Sequence, residues 1–90
     1  MIENQTFRLA AGVDPRTFTD ADARVQQEVA YQQPGILRRT TAMSSDGEWL
    51  ITTLWASAEH ADAAAPIIDA LLSHIDASTL RTARYDELPG

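Results

Sequence analysis

The stretch from Ile36 to Trp55 constrains this chain most. Ile36–Met43 and Glu48–Trp55 are both rich in Thr, Ile, Leu and Trp, residues that suit a pleated surface, and Ser44-Ser45-Asp46-Gly47 separates them. Asp-Gly between two such runs signals a hairpin, because the glycine takes the positive φ of a tight turn. A two-residue and a four-residue loop give registers that differ by two, so both put the same side chains on the same face. One face then carries Ile36, Arg38, Thr40, Ala42, Trp49, Ile51, Thr53 and Trp55. The other carries Leu37, Arg39, Thr41, Met43, Leu50, Thr52 and Leu54. Large apolar residues stand on both faces, whereas an antiparallel hairpin with one face in water alternates cleanly. This hairpin needs a cover on each side.

The flanking segments supply one cover. Thr6–Ala10 alternates with period two and reads as a strand. Asp14-Pro15 opens a helix, Asp as N-cap and Pro where its missing N–H costs nothing. Phe18, Ala21, Val25 and Val29 form its apolar stripe, and it runs to about Gln32, where Gln33-Pro34-Gly35 stops it. After the hairpin, Ser57 caps a second helix, with Glu59 early in it and Ala61, Ala64, Ala65, Ile68, Leu71, Leu72 and Ile75 on one face. Pro66 is expected to kink it or split it near Ala63. Ser78–Asp86 reads as a last strand and Leu88-Pro89-Gly90 as a tail. The order βαββαβ predicts an α+β, ferredoxin-like fold: a four-stranded antiparallel sheet with two helices on one face. The other sheet face needs a partner, and the simplest is a second copy about a twofold axis.

Composition sets outer bounds. Ninety residues suit one domain spanning 1–90, and a chain this short buries only about 60% of its unfolded surface. With no cysteine, neither disulfides nor thiolate metal sites supplement the core. Thirteen Asp+Glu against seven Lys+Arg give a net charge of −6, which argues against nucleic acid as a partner. No apolar run approaches the roughly 20 residues that span a bilayer. Met1-Ile2-Glu3-Asn4-Gln5 is too polar to open a signal peptide, so a soluble cytoplasmic protein is expected. All seven basic residues are Arg and Ala is abundant, as a GC-rich bacterial genome would produce.

Three segments carry a resemblance: Gln33-Pro34-Gly35-Ile36-Leu37-Arg38-Arg39, Asp46-Gly47-Glu48-Trp49-Leu50, and Thr53-Leu54-Trp55-Ala56-Ser57-Ala58-Glu59-His60-Ala61. Pro-Gly before the second strand, a hairpin into the third, a Trp at its end and a capped Ala-rich helix resemble the antibiotic-biosynthesis-monooxygenase-like branch of the dimeric α+β barrel proteins. The resemblance implies a homodimer whose two sheets form a barrel, with a pocket in each subunit between helices and sheet. It also implies, as the expected activity, oxidation of an aromatic or polyketide-type small molecule by molecular oxygen with no metal or organic cofactor. A non-catalytic small-molecule-binding or interaction module of the same fold is the alternative. Haem-cleaving relatives use a first-strand Asn, a Trp inside the second helix and a His late in that helix. Asn4 and His74 fall near two of these places, but small Ala63 stands at the third.

The candidate site follows from residue chemistry. Trp55, Arg38 and Trp49 are expected on one sheet face, where a guanidinium can stack on an indole at the edge of an aromatic-binding pocket. Tyr31 at the helix end and Tyr85 in the last strand add polar aromatic groups. His74 is a further candidate catalytic residue, although a His late in a helix also serves the helix dipole. The expected catalytic residues are therefore His74, Trp55 and Tyr31, and the substrate-binding residues Arg38, Trp49 and Tyr85. His60 and His74 lie about 20 Å apart along one helix, too far to share a metal, and none is expected. The expected partners are a second copy and a small aromatic ligand, with no nucleic acid and no membrane.

Overall fold

The computed structural model describes residues 1–89, so Gly90 of the expected tail lies outside the described residues. Four strands, β1 (Ile2–Leu9), β2 (Ile36–Met43), β3 (Trp49–Trp55) and β4 (Ile75–Tyr85), form one sheet in the order β2-β3-β1-β4. Every neighbouring pair is antiparallel, which is the expected ferredoxin-like arrangement. Helix α1 (Pro15–Glu28) and a 3-10 helix (Ile67–His74) cover one face, and the short helix α2 (Ala58–Ala63) follows β3. Among the described residues, no helix is long and apolar enough to cross a membrane.

Local chemistry explains most boundaries. Asp14 caps α1 by accepting a hydrogen bond from the Arg16 N–H at 2.7 Å, with Pro15 in the first turn. The helix stops at Glu28, and a separate 3-10 turn at Ala30–Gln32 takes up the rest of the expected length. Pro66 splits the second helix as expected: α2 ends at Ala63, Ala64 and Pro66 are extended, and the chain resumes as a 3-10 helix. β1 begins at Ile2 rather than Thr6. As a central strand it is paired on both edges, and that pairing overrides the poor strand preference of Glu3, Asn4 and Gln5. β4 begins at Ile75 rather than Ser78. Ile75 and Asp76 pair with Leu9 and Arg8 across a bulge, where the Thr79 hydroxyl accepts from the Arg8 N–H at 2.8 Å.

The core lies between the sheet and α1 with the 3-10 helix. Phe7, Phe18, Ile51 and Leu71 are almost wholly enclosed. The Phe18 ring meets Phe7 edge-on at 5.5 Å and Trp49 at 4.8 Å. Each such side chain contributes about 1.5–3 kcal/mol by leaving water.

The hairpin register corrects the expected faces. Ser44 N–H donates to the Glu48 carbonyl at 2.7 Å, Gly47 N–H donates to the Ser44 carbonyl at 3.1 Å, and Gly47 has φ +90°. This is a three-residue loop with a glycine bulge, neither the two- nor the four-residue loop expected. The odd loop length slips the pairing by one residue and turns β2 over relative to β3. Arg39 lies opposite Thr53, Thr41 opposite Ile51 and Met43 opposite Trp49. Thus Arg39, and not Arg38, shares the helix-covered face with Trp49, Ile51, Thr53 and Trp55. Arg38 lies opposite Leu54 on the outer face.

Asp46 organises this turn. Its carboxylate accepts from the Ser44 hydroxyl and the Glu48 N–H, and Arg8 reaches it at 3.2 Å. The Ser44 hydroxyl first, then the Glu48 N–H, hold its pKa below the ordinary 3.8. A depressed folded-state pKa means that the stabilisation is complete above the ordinary value and is lost as pH falls through the folded one. An NMR titration should place the Asp46 carboxyl below 3.8, and Ser44→Ala should move it upward. An unshifted carboxyl would contradict this turn geometry.

Candidate functional site

A cavity of about 270 Å³ lies between the sheet and the segment that follows α2. Each strand contributes to its floor: Glu3 and Gln5 from β1, Arg39 from β2, Thr53 and Trp55 from β3, Arg84 from β4. Its roof runs from Ala61 to Ile68. The space has two sequence origins. Pro66 interrupts the helix, so the chain crosses the sheet in extended form, and Ala61, Ala64 and Ala65 are too small to fill the gap beneath. The roof is seated by Ser57, whose hydroxyl accepts from the His60 N–H at 3.2 Å and contacts His60 Nδ1 at 2.7 Å. The His60 ring then lies against Gly35, where φ is +92° and a Cβ would overlap it.

Trp55 is 3% exposed, and its backbone clasps the chain start, its N–H donating to the Met1 carbonyl at 2.8 Å. Its indole Nε1 is shielded from solvent and has no hydrogen-bond partner among the described residues. Such an unpaired buried donor costs about 1–3 kcal/mol. The two guanidiniums of the floor are already paired. Arg39, 4% exposed, donates from Nη2 to Asp22 at 2.7 Å and from Nη1 to Gln26 Oε1 at 3.1 Å, fixing β2 to α1. Arg84 donates from Nη1 to Asp62 at 2.7 Å and from Nε to Glu3 at 3.0 Å, joining β4, β1 and α2. The Asp62 and then the Glu3 carboxylate raise the Arg84 pKa above its ordinary value, so it is charged at any working pH.

Of the six expected site residues, the structure places only Trp55 in this cavity. Trp49 is core, packed on Phe18, and borders an open groove between α1 and β2. Arg38 lines a shallow outer-face depression with Ile2, Thr52 and Leu54. Tyr85 lies opposite Ile2 on the same outer face. Tyr31 holds the free edge of β2, its hydroxyl donating to the Arg39 carbonyl at 3.4 Å and accepting from the Arg39 N–H at 3.3 Å. His74 stands edge-on to Phe18 at 6.3 Å and contacts Ser73, away from the cavity. Asn4 accepts from the Thr52 hydroxyl at 2.8 Å on the outer face, across the sheet from His74, so these two do not form one site. Among the described residues no three His, Cys, Asp or Glu side chains come together as metal ligands. The sequence reading missed Glu3, Gln5, Arg39, Thr53, Asp62 and Arg84. The period-two alternation of Glu3, Gln5 and Phe7 would have placed the first two on the core face.

Neither the known family profiles nor the curated proteins give a match to this chain. Solved structures do. A chain from Nitrosomonas europaea, provisionally named an antibiotic biosynthesis monooxygenase, superposes with a TM-score of 0.76 at 14% identity, covering 97% of this chain and 88% of that one. SnoaB, a cofactor-independent oxygenase from Streptomyces nogalater, gives 0.70 at 21% identity, with 99% and 96% covered. A Deinococcus radiodurans chain, provisionally named as the first, gives 0.68 at 23%, with 99% and 93% covered. The chain thus has the fold of the antibiotic-biosynthesis-monooxygenase-like α+β proteins.

The buried Arg39–Asp22 pair yields a stability test. Asp22→Ala or Arg39→Met alone leaves one buried charge without its partner and should cost about 3–5 kcal/mol in urea unfolding. The double variant should cost clearly less than the sum. Arg38→Met, on the outer face, should stay within about 0.5 kcal/mol. Equal effects at Arg38 and Arg39 would contradict the register.

Proposed function

We propose that this chain is a cofactor-independent oxygenase of a small hydroxyaromatic molecule and works as a homodimer packed through the outer sheet face. The observation that carries the reading is the cavity itself, floored by all four strands and walled in part by the Trp55 indole. Similarity of fold to SnoaB, a cofactor-independent oxygenase, supports the same reading. In the reaction a phenol with a free para C–H takes up O₂ and becomes a quinone, releasing one water. One oxygen atom enters the ring carbonyl and the other leaves as water, with all four electrons supplied by the phenol. The protein has to bind the ring, hold its oxygen and remove the phenolic proton, because the phenolate is the better electron donor. In this reading the Trp55 indole walls the ring, and Glu3 is the floor carboxylate that takes the proton. Glu3 and Arg84 thus take the polar roles that the sequence reading gave to Tyr31, His74 and Arg38.

One observation favours the alternative, a binding module without turnover. Both carboxylates of the cavity wall are tied to Arg84, so a base becomes free only when that bridge opens. Oxygen uptake against a panel of phenols and hydroquinones separates the two. The oxygenase consumes one O₂ per quinone formed, and Glu3→Gln lowers kcat by about 10²-fold or more. Binding of the panel with uptake at background would select the binding module.

The dimer rests on the outer face, where Ile2, Leu50 and Leu54 are half-buried, Tyr85 is 53% exposed and Leu37, in the β2 bulge, is 62% exposed. Light scattering at micromolar concentration should return twice the 9.9 kDa chain mass. Leu54→Asp should give a folded monomer. Ile51 and Trp49, expected from the sequence to share a face with Arg38, belong to the core and are unsuitable for this test. A wild-type monomer would overturn the proposal.

A further inference from the structure

We infer that residues 61–66 are a strap over the cavity, pinned at both ends and latched in the middle by one contact, Asp62 on Arg84. The strap lifts on its own, by unwinding of the last turn of α2, while the sheet and core stay folded. Lifting gives a ligand access, and that purpose rests on the reading of the cavity as a binding site.

Both ends are fixed. Before the strap, Ala56 N–H donates to the Gly35 carbonyl at 2.7 Å, the Ser57 hydroxyl caps α2, and the His60 ring lies against Gly35. After it, Ile67 and Ile68 pack against the hydrophobic core.

Between these anchors the chain reads Ala-Asp-Ala-Ala-Ala-Pro. Four of the six side chains are single methyl groups and none of the six residues is buried, so little apolar surface holds the segment down. Helix α2 has six residues, too few to persist without tertiary contacts, and Ala64 and Pro66 are already extended. Such a segment lies at the low end of local stability. Among the described residues, the bond that Arg84 Nη1 donates to Asp62 at 2.7 Å is the one hydrogen bond tying residues 61–66 to the sheet.

The latch opens on its outer side. The Asp62 side chain is 67% exposed and the Glu3 side chain 16%, so water competes for Arg84 far better at Asp62 than at Glu3. When Asp62 leaves, Glu3 still accepts from Arg84 Nε at 3.0 Å and keeps the guanidinium on the floor. Arg84 Nη1 is then free. Lifting therefore opens the cavity and uncovers a floor donor in one event.

Hydrogen exchange of the full chain, read amide by amide by NMR, tests this without ligand or turnover, so the strap and the oxygenase reading can fail separately. The reporter is the Ala64 N–H, which donates to the His60 carbonyl at 3.2 Å in the last turn of α2. Its exchange should not respond to low concentrations of urea, whereas the amides of the central strand β1 should follow global unfolding. Asp62→Asn should speed Ala64 exchange about two- to fivefold, the range that an exposed ion pair supports, and leave β1 unchanged. In an Arg84→Gln background the same substitution should add nothing. The unsubstituted chain gives a readout that needs no variant: raising salt from about 0.1 M to about 1 M should speed Ala64, and should not do so in Asp62→Asn. Ala64 that follows β1 in urea would mean that no separate strap exists. Unchanged exchange in Asp62→Asn, or an equal effect without Arg84, would mean that Asp62 is no latch. Any of these results overturns the inference.

Discussion

The helix side of the sheet depends on one constraint, the parity of the loop joining β2 to β3. Gly47, at φ +90°, adds a bulge residue to the turn, and the Ser44–Glu48 pairing that results sets every side chain of β2. A slip of one residue would put Arg38, Thr40 and Ala42 against the helices and send Arg39 to the outer face. Asp22 would then be a buried carboxylate without its guanidinium. The same turn is held from three directions, by the Ser44 hydroxyl, the Glu48 N–H and the Arg8 side chain, all at Asp46.

From that register follows the division of labour among the polar groups inside the fold. Arg39 uses its two terminal nitrogens on α1, so it docks the helix and lines one side of the cavity. Arg84 joins two strands to α2 and lines the other side. Between them remain small alanines, a proline that lifts the chain off the sheet, and the Trp55 indole. A small domain spends stability to keep such a cavity, because its walls forgo the contacts that a filled core would make. The helix-covered face thus holds both the hydrophobic core, around Phe7, Phe18 and Ile51, and an adjoining chamber with polar walls.

Much of the architecture was legible in the residues. The Asp14-Pro15 start, the Pro66 break, the Ser57 cap and the strand–helix order are local signals, and each acts where it stands. The face of β2 was not legible, because parity depends on whether Ser44 is strand or loop, a choice that Gly47 makes only in the folded turn. That single uncertainty exchanged Arg38 for Arg39 in the expected site. Trp55 was legible as a residue of the helix-covered face, since β3 alternates so cleanly that its buried face is fixed by the strand itself. Glu3 and Gln5 were hidden for another reason: central-strand pairing brings residues of poor strand preference into β1. Arg84 and Asp62 are 22 positions apart and meet only through tertiary packing.

The register is also the most directly measurable part of the account. In an antiparallel pair the residues that exchange no hydrogen bonds bring their Cα atoms closest, about 4.5 Å apart. Arg39 turns its N–H and carbonyl outward to the Tyr31 hydroxyl, so Arg39–Thr53 is such a pair, and Thr41–Ile51 is the next. Cross-strand Hα–Hα NOEs should therefore join Arg39 to Thr53 and Thr41 to Ile51. NOEs joining Arg38 to Thr53 and Thr40 to Ile51 instead would put Arg39 on the outer face and contradict the account of the cavity.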